Sequence, residues 1–346
     1  MNTNTAFIES YVDPRISDIA GLSLRGFSGE GEYPNILKVI HGCGEADGLE
    51  RSEKLEDVIN TYTHLHNCDP YQDALFVEVN GMVIAYSRVW WEVDGSRTWV
   101  GFHFGNVIPK WRRKGIGSTL LRFNEERLGQ IACQLKDSGS LPSDAPCILE
   151  NFVSCTEVDR INLLKRRGYK PARYTFEMVR PNLENIPDLP LPVGMEVRLA
   201  TPDHMRLIWE ASNEAFQDHW GYIPDPWEEY EQMMSDPDFD PSLWRVAWQG
   251  DQIAGMVLSF INKDENEMYG RLRGYTENIC VRRPWRKQGL AKALIALSLK
   301  ALKERGMLEA ALGVDTQNTS GALNLYKFMG YQVVKNGTIY RKPLNV

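Results

Sequence analysis

Apolar and polar positions follow one order twice along this chain. Residues 75–79 (Leu-Phe-Val-Glu-Val) lead into Asn80-Gly81 and then Met-Val-Ile-Ala-Tyr-Ser. Residues 244–248 (Trp-Arg-Val-Ala-Trp) lead into Gln249-Gly250-Asp251 and then Gln-Ile-Ala-Gly-Met-Val. Two β-rich runs around a tight polar turn predict a β-hairpin in each place. A third strand is expected near 97–108 and near 272–282. A basic, glycine-containing stretch follows each: Trp-Arg-Arg-Lys-Gly-Ile-Gly at 111–117 and Trp-Arg-Lys-Gln-Gly-Leu-Ala at 285–291.

After the second stretch, Leu290, Ala293, Leu294, Leu297 and Ala301 fall at helical spacing, and Lys303, Arg305 and Gly306 supply a helix end. A β-rich run at 310–314, a helix at about 319–329 closed by Gly330-Tyr331, and a last strand near 331–341 complete this copy. The first copy echoes it with a strand at 147–154, a helix at about 157–167, Gly168-Tyr169 and a strand at 174–179. Each copy is expected to be an α+β domain, one sheet flanked by a few helices. The segment 181–194 holds four prolines in fourteen residues and reads as an extended connector. The expected organisation is therefore a domain at 1–180, a linker at 181–194 and a domain at 195–346.

The length of 346 residues suits two domains. A net charge of −7 argues against a general affinity for nucleic acid, despite local basic clusters at 110–114 and 282–287. No apolar run approaches membrane-spanning length, and the N-terminus lacks signal-peptide character. The six cysteines and six histidines show no metal-ligand spacing, so no metal is expected and the cysteines read as reduced thiols of a cytoplasmic protein.

A strand, a basic glycine turn and a helix start form an anion-binding device. Free backbone N–H groups converge there, and the helix dipole adds partial positive charge. A phosphorylated ligand is expected at one copy at least.

The pattern Arg-x-x-Gly-x-Gly/Ala between a strand and a helix resembles the acyl-CoA signature of the GNAT superfamily of N-acetyltransferases. Arg286 to Ala291 and Arg112 to Gly117 both fit it, and the strands, helices and terminal Tyr-x-x-x-Gly-Tyr come in family order. The whole chain looks like two tandem GNAT domains, as in the mycothiol synthase family. The resemblance implies a mixed, mostly antiparallel sheet in each domain and acetyl-CoA as cosubstrate. It implies that the N–H groups from about Gln288 through Gly289, Leu290 and Ala291 to Lys292 cradle the pyrophosphate. Arg286 and Lys287 would add positive charge, and Ile279, Cys280 and Val281 would pair with pantetheine on a splayed strand. The equivalents in the first copy are Val107, Arg112, Lys114, Gly115 and Gly117.

Tyr326 matches the family's proton donor to the departing thiolate. Asn318 matches a position that binds pantetheine or caps the helix; Asn-Thr-Ser at 318–320 is also an ordinary N-cap cluster. Glu277 matches a general base, and strand alternation would place it on one face with Ile279 and Val281; an ion pair with Arg271 or Arg273 is the other reading. Cys280 is read as inert core in preference to a nucleophile. In the first copy, Leu164 stands at the Tyr326 position and Thr156 at the Asn318 position. Counting from the Trp-Arg pairs puts His103 opposite Glu277. That copy is expected to have lost transfer chemistry.

The acidic, aromatic segment 214–244 is read as an acceptor wall for a cationic amine or as a solvated loop with buried aromatic anchors. His219 and Trp220 are its candidate contacts. The expected activity is acetyl transfer to a primary amine of a small molecule in the C-terminal domain. A non-catalytic acyl-CoA sensor and a peptide or protein N-acetyltransferase are the alternatives.

Overall fold

The computed structural model describes residues 12–318 and 321–346. They divide into two compact units. The first holds the described residues up to Ala172 together with Thr338–Val346, and the second holds Arg173–Gly337.

In the first unit, β1 (Leu22–Arg25) precedes three helices, α1 (Tyr33–Asp47), α2 (Leu55–Thr63) and α3 (Pro70–Asp73). Strands β2 (Ala74–Val79), β3 (Met82–Val93) and β4 (Trp99–Val107) follow, then α4 (Ile116–Asp137), β5 (Cys147–Ser154) and α5 (Val158–Arg166). The chain continues into β6 (Lys170–Arg180). Strands β1 to β4 are antiparallel neighbours, and β5 adds parallel to β4. The hairpin predicted around Asn80-Gly81 forms because both turn residues take positive φ, 51° and 79°, as a two-residue hairpin requires.

The second unit repeats the order: β7 (Glu196–Arg198), α6 (Met205–Phe216), α7 (Trp227–Met234), β8 (Arg245–Gln249), β9 (Gln252–Phe260), α8 (Lys263–Tyr269), β10 (Arg273–Val281), α9 (Leu290–Glu304), β11 (Glu309–Asp315), α10 (Ala322–Phe328) and β12 (Gln332–Pro343). Here β7 to β10 are antiparallel and β11 is parallel to β10. Leu290, Leu294, Leu299 and Leu302 of α9 are fully buried against one face of this sheet. The other face carries Ile208 of α6, Tyr230 of α7, Trp244 and Met256.

The sixth strand of each unit comes from the other repeat. From Thr175 to Arg180, β6 pairs antiparallel with β11 in the second unit. The end of β12 lies beside β5 in the first, where the Leu344 N–H donates to the Cys147 carbonyl at 2.9 Å. Arg341–Glu150 (2.6 Å) and Lys342–Glu125 (2.9 Å) ion pairs hold it there.

This changes the expected division of the chain. The crossing falls at Ala172–Arg173, and the segment 181–194 is no linker. It packs on the second unit: Leu183 is buried, Ile186, Leu189 and Leu191 lie against the same core, and Asp188 and Glu184 pair with Lys300 and Lys303 of α9. Its prolines keep it extended, and its spaced apolar residues face inward. Among the described residues no helix is long and apolar enough to cross a membrane.

Candidate active site

Strand β10 pairs with β11 only at Arg273, Gly274 and Tyr275. It then runs on to Val281 while β11 runs to Asp315, so the two strands part and Thr276–Val281 have no ladder partner on that side. The first unit does the same: β4 pairs with β5 from Trp99 to Phe102 and continues alone to Val107. A parted strand offers N–H and C=O groups to an extended ligand such as a pantetheine arm.

The parted stretch of β10 carries a bulge. Glu277 lies opposite Leu258 and Cys280 opposite Met256, so two residues, Asn278 and Ile279, face one on β9. Asn278 takes φ +46°. The extra residue stands outside the ladder and reverses the alternation. Glu277 therefore does not share a face with Ile279 and Val281. Cys280 packs with Met256 and Leu258, while Ile279 and Val281 pack on the α9 side.

Strand β4 has no such bulge; its register to β3 is unbroken from Val107 back to Trp99. Ladder position, not residue count, then sets the correspondence. Both hairpins align at Ala85–Val107 and Gly255–Val281, so the position of Glu277 is held in the first unit by Phe104, and His103 corresponds to Thr276. Hydrogen bonds agree: Thr276 Oγ1 meets the Tyr331 hydroxyl at 2.8 Å, and His103 Nε2 meets the Tyr169 hydroxyl at 2.9 Å. The expectation that His103 stands opposite Glu277 is corrected on this ground.

The two glycine turns have one backbone shape. Lys287 and Gly289 take φ of 62° and 88°, and Arg113 and Gly115 take 64° and 96°. Each glycine is the N-cap of the following helix, α9 or α4, whose first N–H groups have no helical partner. In the second unit a Cβ built on Gly289 would meet nothing within 4 Å, so a phosphate has room to reach the backbone from Gln288 to Lys292. The residues present thus fit a CoA pyrophosphate. In the first unit a Cβ on Gly115 would lie 3.0 Å from Asp13 Oδ1 and 3.0 Å from Ile16 Cγ2.

Side chains at the second turn are more committed than the sequence implies. Arg286 donates from Nε to the Val281 carbonyl (2.9 Å), from Nη1 to Asp218 (2.6 Å) and from Nη2 to the Ala215 carbonyl (3.0 Å). Arg112 makes the matching bonds to the Val107 carbonyl (2.8 Å) and Asp47. In both units this arginine ties the end of the parted strand to the segment at the end of a helix. Lys292 lies over the Phe328 ring, and Gln288 Nε2 bonds the Pro284 carbonyl. Leu290 is buried and has only its backbone to offer.

Glu277 and Tyr326 reach the gap between β10 and β11. Burial pushes the Glu277 carboxyl up to about 7, opposed only by the Gly313 N–H at 3.4 Å. Tyr326 is buried; burial first, then the charges of Glu277 and Cys280, raise its pKa, so it stays a neutral donor. Among the described residues its hydroxyl has no hydrogen-bond partner. Burial also pushes the Cys280 thiol up to about 12, which agrees with inert core. The ion pair expected as the alternative for Glu277 is absent, since Arg271 pairs with Glu265 and Arg273 with Glu309.

Asn318 sits in the turn after β11, its N–H on the Asp315 carbonyl at 3.3 Å. It does not cap α10, whose N-cap is Gly321; Thr319 and Ser320 lie outside the described residues. His219 packs edge-on against Phe216, and burial lowers its pKa while Asp315 opposes the shift. Trp220 lies under the Arg173 guanidinium, which bonds Asp315 at 3.0 and 2.8 Å. Both residues thus border the end of β11. Many carboxylates of 214–244 are already paired: Glu214 with Arg282, Asp218 with Arg283 and Arg286, Asp238 with Lys263, and Asp240 with Arg305. Its aromatics Tyr230 and Trp244 are core. Among the described residues no cluster suits a metal ion.

This geometry defines a class: a parted parallel pair, a glycine turn opening a helix, and a carboxylate and phenol at the gap. The acetyltransferase (GNAT) family matches residues 205–331. The mycothiol acetyltransferase of Geodermatophilus obscurus is 27% identical over 302 residues, covering 86% of this chain and 89% of that protein. The crystal structure of a GCN5-related N-acetyltransferase from Sphaerobacter thermophilus superposes with a TM-score of 0.69 at 26% identity, over 97% of this chain and 98% of that one. A tandem GNAT protein from the clavulanic acid biosynthesis pathway shares the fold, with a TM-score of 0.64 at 12% identity over 94% of this chain and 99% of that one. The chain is a tandem GNAT protein, an acyltransferase of the N-acetyltransferase type.

Proposed function

We propose that the second unit transfers an acetyl group from acetyl-CoA directly to a primary amine of a small molecule in the cytoplasm, and that the first unit carries out no transfer. Glu277 and Tyr326 at the gap between β10 and β11 carry the reading. Acetyl-CoA supplies the activated acetyl thioester. The N–H groups from Gln288 to Lys292 hold its phosphates, and the parted backbone at Ile279, Cys280 and Val281 holds its pantetheine arm. Glu277, with a carboxyl near neutrality, takes a proton from the acceptor ammonium. Tyr326 gives its hydroxyl proton to the leaving sulfur. The first unit has Phe104 and Leu164 at these two positions and so lacks both groups.

The test is CoA release from acetyl-CoA across a panel of amines, including aminosugars related to mycothiol, polyamines, amino acids and short peptides. Release that depends on one small-amine class supports the proposal. Release with peptides alone makes the chain a peptide acetyltransferase. Binding of acetyl-CoA with no release above hydrolysis makes it a sensor. Tyr326→Phe is expected to cut kcat by about 10²-fold or more with acetyl-CoA affinity nearly intact; full activity in that variant overturns the role of Tyr326.

A further inference from the structure

The first unit keeps a cavity of about 380 Å³ between the parted ends of β4 and β5, α4 and α5. That size lies at the small end of ligand pockets, about 300–1,000 Å³. Three features set it apart from a CoA cleft. Arg160 of α5 donates to the Gly105 carbonyl (3.0 Å) and to Asn106 Oδ1 (2.7 Å), on the stretch that a pantetheine arm would pair with. Counting from the Gly-Tyr pairs, Ala322 stands at this position in the second unit and cannot do this. The segment at 13–16 covers the glycine turn: Asp13 Oδ1 lies against Gly115, and the Asp13 N–H donates to Thr119 Oγ1 at 3.0 Å. The start of α4 therefore already faces a carboxylate.

Among the described residues, two buried amide oxygens at this cavity have no partner. Asn124 is 1% exposed and Asn151 is 4% exposed; both line the cavity. The orientation of each amide is set, because Nδ2 of Asn124 donates to the Phe104 carbonyl (3.0 Å) and Nδ2 of Asn151 to the His103 carbonyl (2.6 Å). A carbonyl only accepts, so the two Oδ1 atoms are left as acceptors, and neither is bonded. Five arginines also line the space against Asp47, Glu157 and Asp159, with Asp13 beside Arg15. Arg15, Arg112, Arg113 and Arg160 each pair with one of these carboxylates, which leaves one positive charge in surplus; Arg113 stands at the exposed rim with Arg160 further in. Surplus positive charge suits an anion and disfavours an ammonium. His103, buried beside Arg160 and Lys342, stays neutral in the same field.

We propose that this cavity binds a compact hydroxylated anion, a sugar phosphate or hydroxy acid, and not a CoA thioester. Neutral O–H groups of the ligand donate to Asn124 and Asn151, and its anionic group meets the arginines, Arg113 first.

The test is calorimetric titration of the full chain with glucose 6-phosphate and with 3-phosphoglycerate, with inorganic phosphate, sorbitol and acetyl-CoA in parallel. At least one hydroxylated anion is expected to bind saturably, one per chain, and equally well when acetyl-CoA is saturating. Acetyl-CoA itself is expected to bind at one equivalent per chain. Asn124→Ala and Arg113→Ala are each expected to weaken the hydroxylated anion about tenfold, the loss of one contact of this kind. Arg113 is exposed, so its variant reads the site even if the Asn124 variant does not fold. A second equivalent of acetyl-CoA overturns the proposal. So does failure of both hydroxylated anions to bind, affinity indifferent to the substitutions, or inorganic phosphate binding as tightly as either probe.

Discussion

The imidazole of His103 donates from Nε2 to the hydroxyl of Tyr169 across 2.9 Å. Asn151 Nδ2 donates to the other ring nitrogen at 3.1 Å, which fixes the tautomer. Both nitrogens are thus committed to buried partners, and no lone pair remains for a general base. Thr276 holds Tyr331 in the same way in the second unit, so this pair belongs to the framework of both repeats.

Removing His103 should therefore cost stability and leave chemistry alone. His103→Ala takes the ring partner from the Tyr169 hydroxyl and from Asn151, whose Nδ2 keeps the backbone carbonyl, and opens a cavity, for a loss of about 2–4 kcal/mol. Urea unfolding should show that loss, while acetyl transfer by the folded variant stays within about twofold of the parent. A collapse of turnover in a folded variant would give His103 a part in the chemistry.

His103 also predicts an acid-sensitive fold. Burial, then the charges of Arg160 and Lys342, push its pKa down to about 3 from the ordinary 6.5. The unfolded chain binds a proton over that window and the folded chain does not. The stabilisation is present above pH 6.5 and is lost as pH falls toward 3, by up to about 1.4 kcal/mol per unit. Stability curves of parent and His103→Ala, measured from pH 4 to 8, should converge on the acid side.

Glu277 should leave its mark on rate and on stability in opposite senses. As a base with a carboxyl at about 7, it predicts kcat/KM rising with pH through neutrality, a limb that Glu277→Gln abolishes along with about 10²-fold or more of the rate. Its folded pKa lies above the unfolded 4.5, so its ionisation opposes folding increasingly from pH 4.5 to 7. The melting temperature of Glu277→Gln relative to parent should accordingly be higher at pH 8 than at pH 4.5. An unchanged pH–rate profile in the variant would assign the proton transfer to another group.

The two glycine turns should respond differently to one added methyl group. Both residues sit at positive φ, which disfavours any side chain by about 1 kcal/mol. Gly289→Ala has open space and is expected to raise KM for acetyl-CoA with a small fall in melting temperature. Gly115→Ala pushes Asp13 and Ile16 as well, so its melting temperature should fall further with little change in that KM.

Cutting the chain at the proline-rich segment should not yield an active half. A fragment of 195–346 lacks β6, which pairs with β11 from Thr175 to Arg180, and it lacks buried Leu183. It also carries the end of β12 away from β5. An exposed strand edge and a lost core residue of about 2–5 kcal/mol predict an aggregated product by size-exclusion chromatography. A monomeric, active fragment would show that the exchanged strand is dispensable.

The elements that frame the candidate site were legible in the chain. The repeated hairpins and both glycine turns follow from periodicity and turn chemistry, which are local, whereas Tyr326, four residues before Gly330, was singled out by the family resemblance. The reading of Glu277 was right about its strand and wrong about its face, because a single bulged residue at Asn278 inverts the alternation. Arg286 looked free for phosphate, and its bond to Asp218, 68 residues away, has no local signal.

By itself, the order of residues determined two α+β repeats and a glycine turn opening a helix in each, since a few neighbouring side chains and dihedral angles decide such elements. Only the tertiary structure decided that Phe104 faces the place of Glu277, that each unit borrows its sixth strand, and that 181–194 packs as part of a core. Those outcomes depend on ladder register and on contacts between distant segments, where one residue out of step moves a side chain to the opposite face.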